Sequence, residues 1–283
     1  MKRILLSVAG LLLVGVGIAE NVLLGTITDL RWTSVDASRN VAYFETVVPE
    51  PPDPPGDPVA GLIGHWKMND NAENTVVEDS SGYAMNGAAY EATALLARPG
   101  KRGGALFFNG VSQAEPPVNL GDTYYATDEL SISVWAFVDA STLYGYANIF
   151  GKWDDNTCGY TLSIYYDRTL AFYGIGEYQT WWDRTFSTGT VIDGWNHIVV
   201  AYSYGAVQFY INNTDAGTGY TDYPINPYLS GVNTYIGGVQ AFAGSGWWYP
   251  YGGLLDDVRL YNRAITVEDV GVLWNNGFGT ETR

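Results

Sequence analysis

The stretch GGLLDDVRLYNRAIT, from Gly252 to Thr266, has the composition of a β-strand with two adjacent carboxylates in its middle. Alternate residues of a strand face the same side of a sheet. The sequence therefore predicts that Asp256 lies in an apolar row with Val258, on the opposite face from Asp257 and Arg259. A buried carboxylate must be neutralised, hydrogen-bonded or bound to a metal. Asp257 is expected to form a partly exposed ion pair with Arg259, which contributes little to stability.

The composition around this strand is that of an all-β protein. Of the 283 residues, 34 are glycine and 15% are aromatic, and short runs rich in Tyr, Trp, Thr and Val recur along the chain. Such runs, separated by Gly, Asn and Asp turns, favour strands and tight turns over long helices. From about residue 60 onwards they predict a two-sheet antiparallel sandwich.

One helix and one hairpin are specific enough to predict by residue. The helix is expected over 266–274, with Thr266 as its N-cap and Asp269 at the reciprocal position of a capping box. Asn212 and Asn213 lie between two strand-like runs, where asparagine favours a hairpin turn for backbone reasons. With Thr214 they also form the acceptor pattern for N-glycosylation, which is the alternative interpretation of this turn.

The charge and the cysteine content of the chain exclude two classes of function. The formal net charge is −16 at pH 7, which argues against a nucleic-acid partner, because binding a phosphate backbone requires clustered Lys and Arg. Cations and neutral sugars stay open as ligands. The one cysteine, Cys158, has no second thiol with which to form a disulfide or a paired-cysteine zinc site.

Three segments precede the predicted sandwich, which we place at 60–283. Residues 1–19 have the layout of a secretory signal peptide, or else of a retained hydrophobic segment, because two basic residues stand before an apolar run. Residues 20–48 alternate moderately and predict two or three short strands, too few for an independent core. The proline-rich residues 49–59 predict an extended linker. We therefore expect a protein that is secreted or held at an extracellular surface.

Five stretches, in this order, resemble the laminin-G-like group of the concanavalin A-like lectin/glucanase superfamily. They lie within residues 61–275, roughly three quarters of the chain, and the closing GGLLDDVRLYNRAIT follows them. The stretches are GLIGHWKMND (61–70), EDSSGYAMNGAA (78–89), GKRGGALFFNG (100–110), LSISVWAFV (130–138) and DGWNHIVVAYS (193–203).

The resemblance implies a two-sheet jelly roll that acts in recognition or adhesion, often with a calcium ion near one edge. In such domains the DSSG loop lies close to the DDV strand. Asp79 and Asn86 are therefore the candidate partners of Asp256 in a structural calcium site, since calcium prefers oxygen ligands. The alternative is that Asp256 accepts hydrogen bonds from backbone N–H groups and that no metal is needed.

The sequence lacks the acids with which glucan-cleaving members of this superfamily work. Retaining hydrolysis needs a nucleophile and an acid at a fixed separation, which those members supply from a strand of the form Glu-x-Asp-x-Glu. No such run is present, and the two histidines, His65 and His197, lie near tryptophans in strand-like segments and outside any metal-binding motif. We therefore expect that the protein is not an enzyme.

Two aromatic groups are the predicted ligand contacts: Trp181 with Trp182, and Trp247 with Trp248 and Tyr249. Adjacent residues of a strand face opposite ways, so at most one tryptophan of each doublet enters the core. An indole face can stack on the apolar face of a sugar ring. The alternatives are that these side chains cover the ends of the sandwich or lie in contacts between identical subunits.

These features together predict a non-catalytic exported protein whose lectin-like jelly roll binds glycans or surface proteins and mediates adhesion. The alternative is a structural subunit of an extracellular filament or virion. In that case residues 1–48 make the contacts of a homopolymer and the jelly roll is displayed outside.

Overall fold

The structure is a computed structural model in which the chain divides into two compact units, Met1–Glu50 and Pro51–Arg283. In the first unit it describes the backbone of 4–8, 11–15, 30–36 and 41–46. In the second unit it describes 56, 58–110, 118–124, 128–139, 141, 143, 145–153, 159–174, 184–221, 225, 231–240, 247–248 and 250–281, with only the backbone at 240, 247 and 248.

The first unit contains two antiparallel hairpins. Strand β1 (Ile4–Val8) pairs with β2 (Leu11–Gly15), and β3 (Leu30–Asp36) pairs with β4 (Val41–Thr46). The second hairpin lies in the segment for which two or three short strands are predicted.

The second unit is built almost wholly from strands. Its elements are, in chain order, β5 (Leu62–Trp66), β6 (Val76–Val77), β7 (Gly87–Ala88), α1 (Thr93–Leu96), β8 (Ala97–Pro99), β9 (Gly104–Asn109), β10 (Val118–Asn119), β11 (Glu129–Val138), β12 (Tyr146–Lys152), β13 (Tyr160–Tyr165), β14 (Thr169–Gly174), β15 (Arg184–Thr190), β16 (Gly194–Ser203), β17 (Ala206–Ile211), β18 (Thr214–Tyr220), β19 (Thr234–Ile236), β20 (Val239–Gln240), β21 (Trp247–Trp248), β22 (Gly252–Tyr261), α2 (Val267–Trp274) and a 3₁₀ turn (Asn275–Gly277). Within the described residues, no helix is both long and apolar enough to cross a membrane.

These strands form two antiparallel sheets. Sheet 1 has the order β15-β14-β13-β12-β19-β10-β7-β6, and sheet 2 has the order β18-β17-β16-β11-β22-β9-β8, with β5 also paired to β22. Strands β20 and β21 make a separate hairpin. The prediction of an all-β, two-sheet antiparallel jelly-roll sandwich is confirmed.

The main core lies between the two sheets. Ile132 and Val134 of β11, in sheet 2, and Leu162 and Ile164 of β13, in sheet 1, belong to one cluster of buried side chains. Each contributes roughly 1.5–3 kcal/mol through removal from water. Because side chains alternate along a strand, the intervening residues point to the outer faces of the sheets, where the candidate sites lie.

Strand β22 contains a bulge beside the two adjacent aspartates. In its pairing with β11, Arg259 stands opposite Ser133 and Asp256 stands opposite Trp135. The two residues between them, Asp257 and Val258, therefore face the single residue Val134. Asp257 lies in this bulge with a φ of +47°. A bulge inserts one residue into the alternation, and every side chain beyond it changes face.

The bulge overturns the predicted distribution of side chains. Val258 is buried in the core between the sheets, whereas Asp256, Asp257 and Arg259 all lie on the outer face of sheet 2, beneath the C-terminal residues 274–281. The prediction that Asp256 shares an apolar row with Val258 is therefore wrong, because strict alternation takes no account of the extra residue.

Helix α2 confirms the predicted capping box. The Thr266 hydroxyl accepts a hydrogen bond from the Asp269 N–H at 3.2 Å, and the Asp269 carboxylate accepts one from the Thr266 N–H at 2.8 Å. The buried side chains of Val270 and Leu273 pack in a second core cluster with Val199. This packing places α2 against the outer face of sheet 2.

Candidate functional site

Asp79 organises the loop that carries two of the predicted calcium ligands. One carboxylate oxygen accepts hydrogen bonds from the N–H groups of His65 at 2.9 Å and Ser81 at 2.8 Å. The other accepts the Ser81 hydroxyl at 2.8 Å and the Met85 N–H at 3.0 Å. The Asp79 N–H in turn donates to the Asn86 side-chain oxygen at 2.9 Å. The structure thus brings Asp79 and Asn86 together, and four protein donors already occupy the Asp79 carboxylate.

Asp256 is held by a different loop. Its Oδ2 accepts the Arg102 N–H at 3.0 Å, and its Oδ1 has no hydrogen-bond partner among the described residues. Burial raises the pKa of this carboxyl well above its usual range, although hydrogen bonds from the N–H groups of Arg102 and Lys101 oppose the shift. Asp256 is fully buried.

These contacts fit the hydrogen-bonded alternative better than a calcium site built from all three oxygen donors. Asp79 and Asn86 bond to each other, whereas Asp256 bonds to the loop that contains Arg102. No group of three or more His, Cys, Asp or Glu in the described part of the chain is arranged to hold a metal ion. The calcium site stays a prediction that chelation can test.

Asp257 and Arg259 form a buried pair and not the partly exposed one that is predicted. Asp257 Oδ1 lies 3.0 Å from Arg259 Nε and 2.7 Å from His65 Nε2, and Arg259 Nη2 donates to the Thr280 carbonyl at 2.7 Å. Burial alone would raise the pKa of Asp257, but the Arg259 charge and the His65 hydrogen bond outweigh it and lower the pKa to about 2. The prediction fails because the C-terminal residues cover this face, which the strand itself does not reveal.

The second histidine is also buried in structural contacts. Burial lowers the pKa of His197 to about 3, so its ring is neutral at pH 7. Its Nε2 lies 2.9 Å from the Ser133 hydroxyl, and its ring packs 5.1 Å from that of Trp135. Trp135 in turn stacks on Trp274 of α2 at 5.2 Å. This group fastens the C-terminal helix to sheet 2.

The outer face of sheet 1 carries aromatic side chains around a single arginine. We name this cluster the tyrosine face; it comprises Tyr146, Tyr165, Tyr173, Arg184 and Phe186. Tyr146 pairs with Tyr165 across β12 and β13, with ring centroids 4.4 Å apart, and Tyr173 pairs with Arg184 across β14 and β15. All five side chains are partly exposed.

The Arg184 guanidinium lies over three rings of the tyrosine face. Its central carbon is 5.6 Å from the ring centroid of Tyr146, 5.9 Å from that of Tyr173 and 5.5 Å from that of Phe186. Such cation–π contacts hold the guanidinium in place. Burial raises the pKa of the Tyr146 and Tyr173 hydroxyls, so both stay protonated, and the Tyr173 hydroxyl accepts a hydrogen bond from Arg184 Nη1 at 3.4 Å. The tyrosine face therefore combines ring surfaces with hydroxyl and guanidinium groups.

Both predicted aromatic groups connect to strands next to the tyrosine face. Trp181 and Trp182 belong to the connection between β14 and β15 and lie outside the described residues, as does Tyr249. Trp247 and Trp248 form β21, of which the structure describes the backbone; it pairs with β20, whose Val239 packs against Tyr173.

The sequence interpretation singled out the tryptophans and missed the tyrosine face. The signal that could have found it is tyrosine at outward positions of consecutive strand-like runs, as in YANIF, LSIYY and AFYG. Those positions become one surface only when β12 to β15 are neighbours in the sheet.

Comparison with known families decides the assignment of the chain. The family model described as the concanavalin A-like lectin/glucanases superfamily, a laminin G type, matches residues 112–271, more than half of the chain. The chain belongs to this superfamily. A comparison with curated proteins found no match.

Solved structures similar to this superfamily member include carbohydrate-active proteins and a toxin. Domain 4 of an extracellular arabinanase from Geobacillus stearothermophilus, in complex with arabinotriose, is 21% identical with a TM-score of 0.53, and the match covers 78% of this chain and 99% of that one. Trypanosoma rangeli sialidase is 18% identical with a TM-score of 0.53, covering 83% of this chain. The binding domain of Paraclostridial mosquitocidal protein 1 is 15% identical with a TM-score of 0.52, covering 77% of this chain.

At these identities the likeness shows the fold alone. The chain spans 37% of the sialidase chain and 52% of the toxin chain, but nearly the whole of the arabinanase domain.

Proposed function

We propose that this protein is a non-catalytic, exported module that binds glycans on the tyrosine face, with the sequence-predicted contacts Trp181, Trp182, Trp247, Trp248 and Tyr249 as further candidates for sugar stacking. The observation that carries the proposal is the partly exposed group of tyrosine rings around Arg184. Aromatic rings offer apolar faces on which the apolar face of a sugar ring can stack. Tyrosine hydroxyls and a guanidinium add hydrogen-bond donors for sugar oxygens.

The positions of the acids also support a binding role. Glycoside hydrolysis needs two carboxyl groups flanking the bond that is cleaved. The five residues of the tyrosine face include an arginine and no acid. The buried acids Asp256 and Asp257 lie on the other sheet and bond to protein groups beneath the C-terminal residues. This arrangement supports holding a glycan over cleaving one.

A glycan array followed by calorimetry tests the proposal. We expect the full chain to bind at least one glycan class, and Tyr146→Ala, Arg184→Gln and Trp182→Ala each to weaken that binding about tenfold, which corresponds to about 1.4 kcal/mol. Tyr204→Ala, which removes an exposed tyrosine from the turn between β16 and β17 of sheet 2, is the matched control and should bind like the parent. A parent protein that binds no glycan on the array would remove the proposal.

The second candidate function is a structural subunit whose residues 1–48 make homopolymer contacts. The observation in its favour is that Met1–Glu50 form a unit of their own, with hairpins that include the apolar strands β1 and β2. Electron microscopy of the native material tests it, because polymers are expected only under this alternative. N-terminal sequencing that begins near Glu20 would count against polymer contacts by residues 1–19.

A further inference from the structure

A row of apolar side chains crosses the outer face of sheet 2, on the opposite side of the sandwich from the tyrosine face. Phe137 of β11 stands opposite Trp195 of β16 on one side and Leu254 of β22 on the other, and Leu254 stands opposite Phe107 of β9. The residues next to them in sequence, including Ala136 and Leu255, face the main core. The row therefore spans four adjacent strands on the outside of the sandwich.

The C-terminal residues 274–281 cover the neighbouring row of side chains, which contains Trp135, and leave Phe137 exposed. Trp135, two residues before Phe137, is 1% exposed because Trp274 stacks on it. Phe137 is 38% exposed, and its ring meets Trp195 edge-on at 5.6 Å. An aromatic side chain held in place by a neighbouring ring and open to solvent is a ready contact for a ligand.

Three residues of the row, Phe107, Phe137 and Leu254, form the floor of a groove of about 610 Å³, whose lining also includes Asp139, Ser141 and Gly253. This volume lies in the range of small-ligand sites. The backbone beside Leu254 requires glycine. Gly253 has a φ of +150°, and a Cβ there would lie 2.5 Å from the Phe137 carbonyl oxygen, so another residue would be strained at this position.

The surroundings of the groove restrict what it can hold. Both central strands, β11 and β22, are paired on each side, so a peptide cannot add to the sheet here by strand pairing. Among the described residues of the lining, Asp139 is the charged one, and its Oδ1 accepts the Ser141 N–H at 2.9 Å and the Ser141 hydroxyl at 2.7 Å. The Arg98 guanidinium lies 5.5 Å from the Phe107 ring centroid and donates to the Leu95 and Ala97 carbonyls. A carboxylate repels anionic ligands such as phosphates and uronic acids. An aromatic floor beside a carboxylate and a hydroxyl suits a neutral sugar, which has an apolar ring face and hydroxyl donors.

The geometry points to this groove as a second saccharide-binding site, which takes a neutral sugar ring on Phe137 and is separate from the tyrosine face. Because the two sites lie on the outer faces of different sheets, one molecule can hold two chains of a glycan, or two segments of one, and gain avidity. The assignment rests on residues of β9, β11 and β22 and on Asp139 and Ser141, which follow β11; none of these residues belongs to the tyrosine face.

Backbone NMR of the full chain tests this site, because amide signals report each site separately. Arabinotriose and cellotriose serve as neutral probes and sialyllactose as the anionic one. We expect saturable shifts of the Gly253, Leu254 and Ser141 amides with a neutral probe, and these should persist in Arg184→Gln. Phe137→Leu, which keeps apolar bulk but removes the ring, should weaken the binding about tenfold.

The outcomes separate this proposal from the proposed function. Shifts confined to Tyr173 and Arg184 would leave the tyrosine face standing and overturn the groove. Groove shifts that Phe137→Leu leaves unchanged, or that sialyllactose produces more strongly than the neutral probes, would also overturn it. If Phe137→Leu loses the folded spectrum, Asp139→Asn replaces it, since Asp139 is a surface residue, and unaltered affinity in that variant then counts against the site.

Discussion

At the scale of single residues, the two adjacent aspartates show how position decides chemistry. Among the described residues, only loop amides donate hydrogen bonds to the buried Asp256, so burial dominates and its pKa rises. Asp257 is equally buried, but Arg259 and His65 contact its carboxylate, and its pKa falls to about 2. The bulge brings Asp256 onto the face that Asp257 and Arg259 share, but only Asp257 gains a partner of opposite charge, which compensates for its burial.

The same contrast predicts opposite effects of two equivalent substitutions. Asp257→Asn removes the charge that pairs with Arg259 and should lower the free energy of unfolding at pH 7 by about 3–5 kcal/mol. Asp256→Asn keeps an acceptor for the Arg102 N–H and removes a charge that burial disfavours, so it should leave stability unchanged or raise it. Urea unfolding of both variants measures this, and each variant is the matched control for the other.

The contributions of Asp256 and Asp257 to the free energy of unfolding should depend on pH in opposite directions, and each Asn variant should lose its own contribution. The lowered pKa of Asp257 gives stability that is present above its unfolded value of 3.8 and is lost as the pH falls from about 4 towards 2. The raised pKa of Asp256 gives stability that is present below pH 3.8 and is lost as the pH rises through the pKa of the folded state.

The same unfolding measurements, repeated with calcium and with a chelator, test the predicted calcium site. Calcium that stabilises the parent but not Asp256→Asn would contradict the hydrogen-bonded interpretation and support the metal site.

At the scale of elements, local patterns could be predicted from the sequence and lateral relations could not. Two predicted features depend only on residues that are close in sequence, and both are present: the capping box of α2 and the hairpin turn between β17 and β18. The two turn residues, Asn212 and Asn213, have positive φ. The bulge in β22 depends on its pairing with β11, and the tyrosine face depends on the order of β12 to β15 in the sheet. Strand order is decided by contacts between residues far apart in the chain, which a single sequence does not display.

The capping box of α2 gives a prediction at this scale. Thr266→Ala removes the hydroxyl that accepts the Asp269 N–H and should cost about 1 kcal/mol of stability. Thr266→Ser keeps a hydroxyl and should cost much less. Urea unfolding measures both, with near-ultraviolet circular dichroism as a report on Trp274, which stacks on Trp135. Equal losses in the two variants would show that the cap contributes through packing of the threonine methyl and not through its hydrogen bond.

For the molecule as a whole, both proposed glycan sites and the core that supports them belong to one unit. The described residues of the main core run from Trp66 to Leu260, and both proposed glycan sites lie within Pro51–Arg283. Their separation from the first unit in sequence lets the role of Met1–Glu50 be tested apart from glycan binding.

Removal of residues 1–50 is the test at this scale. All described residues of the main core are kept in a chain that begins at Pro51, so this chain should melt within about 2 °C of the full chain. For comparison, a change of 1 kcal/mol in the free energy of unfolding moves the melting temperature of a domain of this size by about 2–4 °C. Its glycan affinity on the tyrosine face should equal that of the parent. Differential scanning calorimetry, calorimetric titration and sedimentation measure the three properties. If the full chain forms a polymer and the truncated chain binds glycan normally but does not polymerise, assembly is assigned to residues 1–50. A large fall in melting temperature would instead show that the sandwich depends on the first unit for its stability.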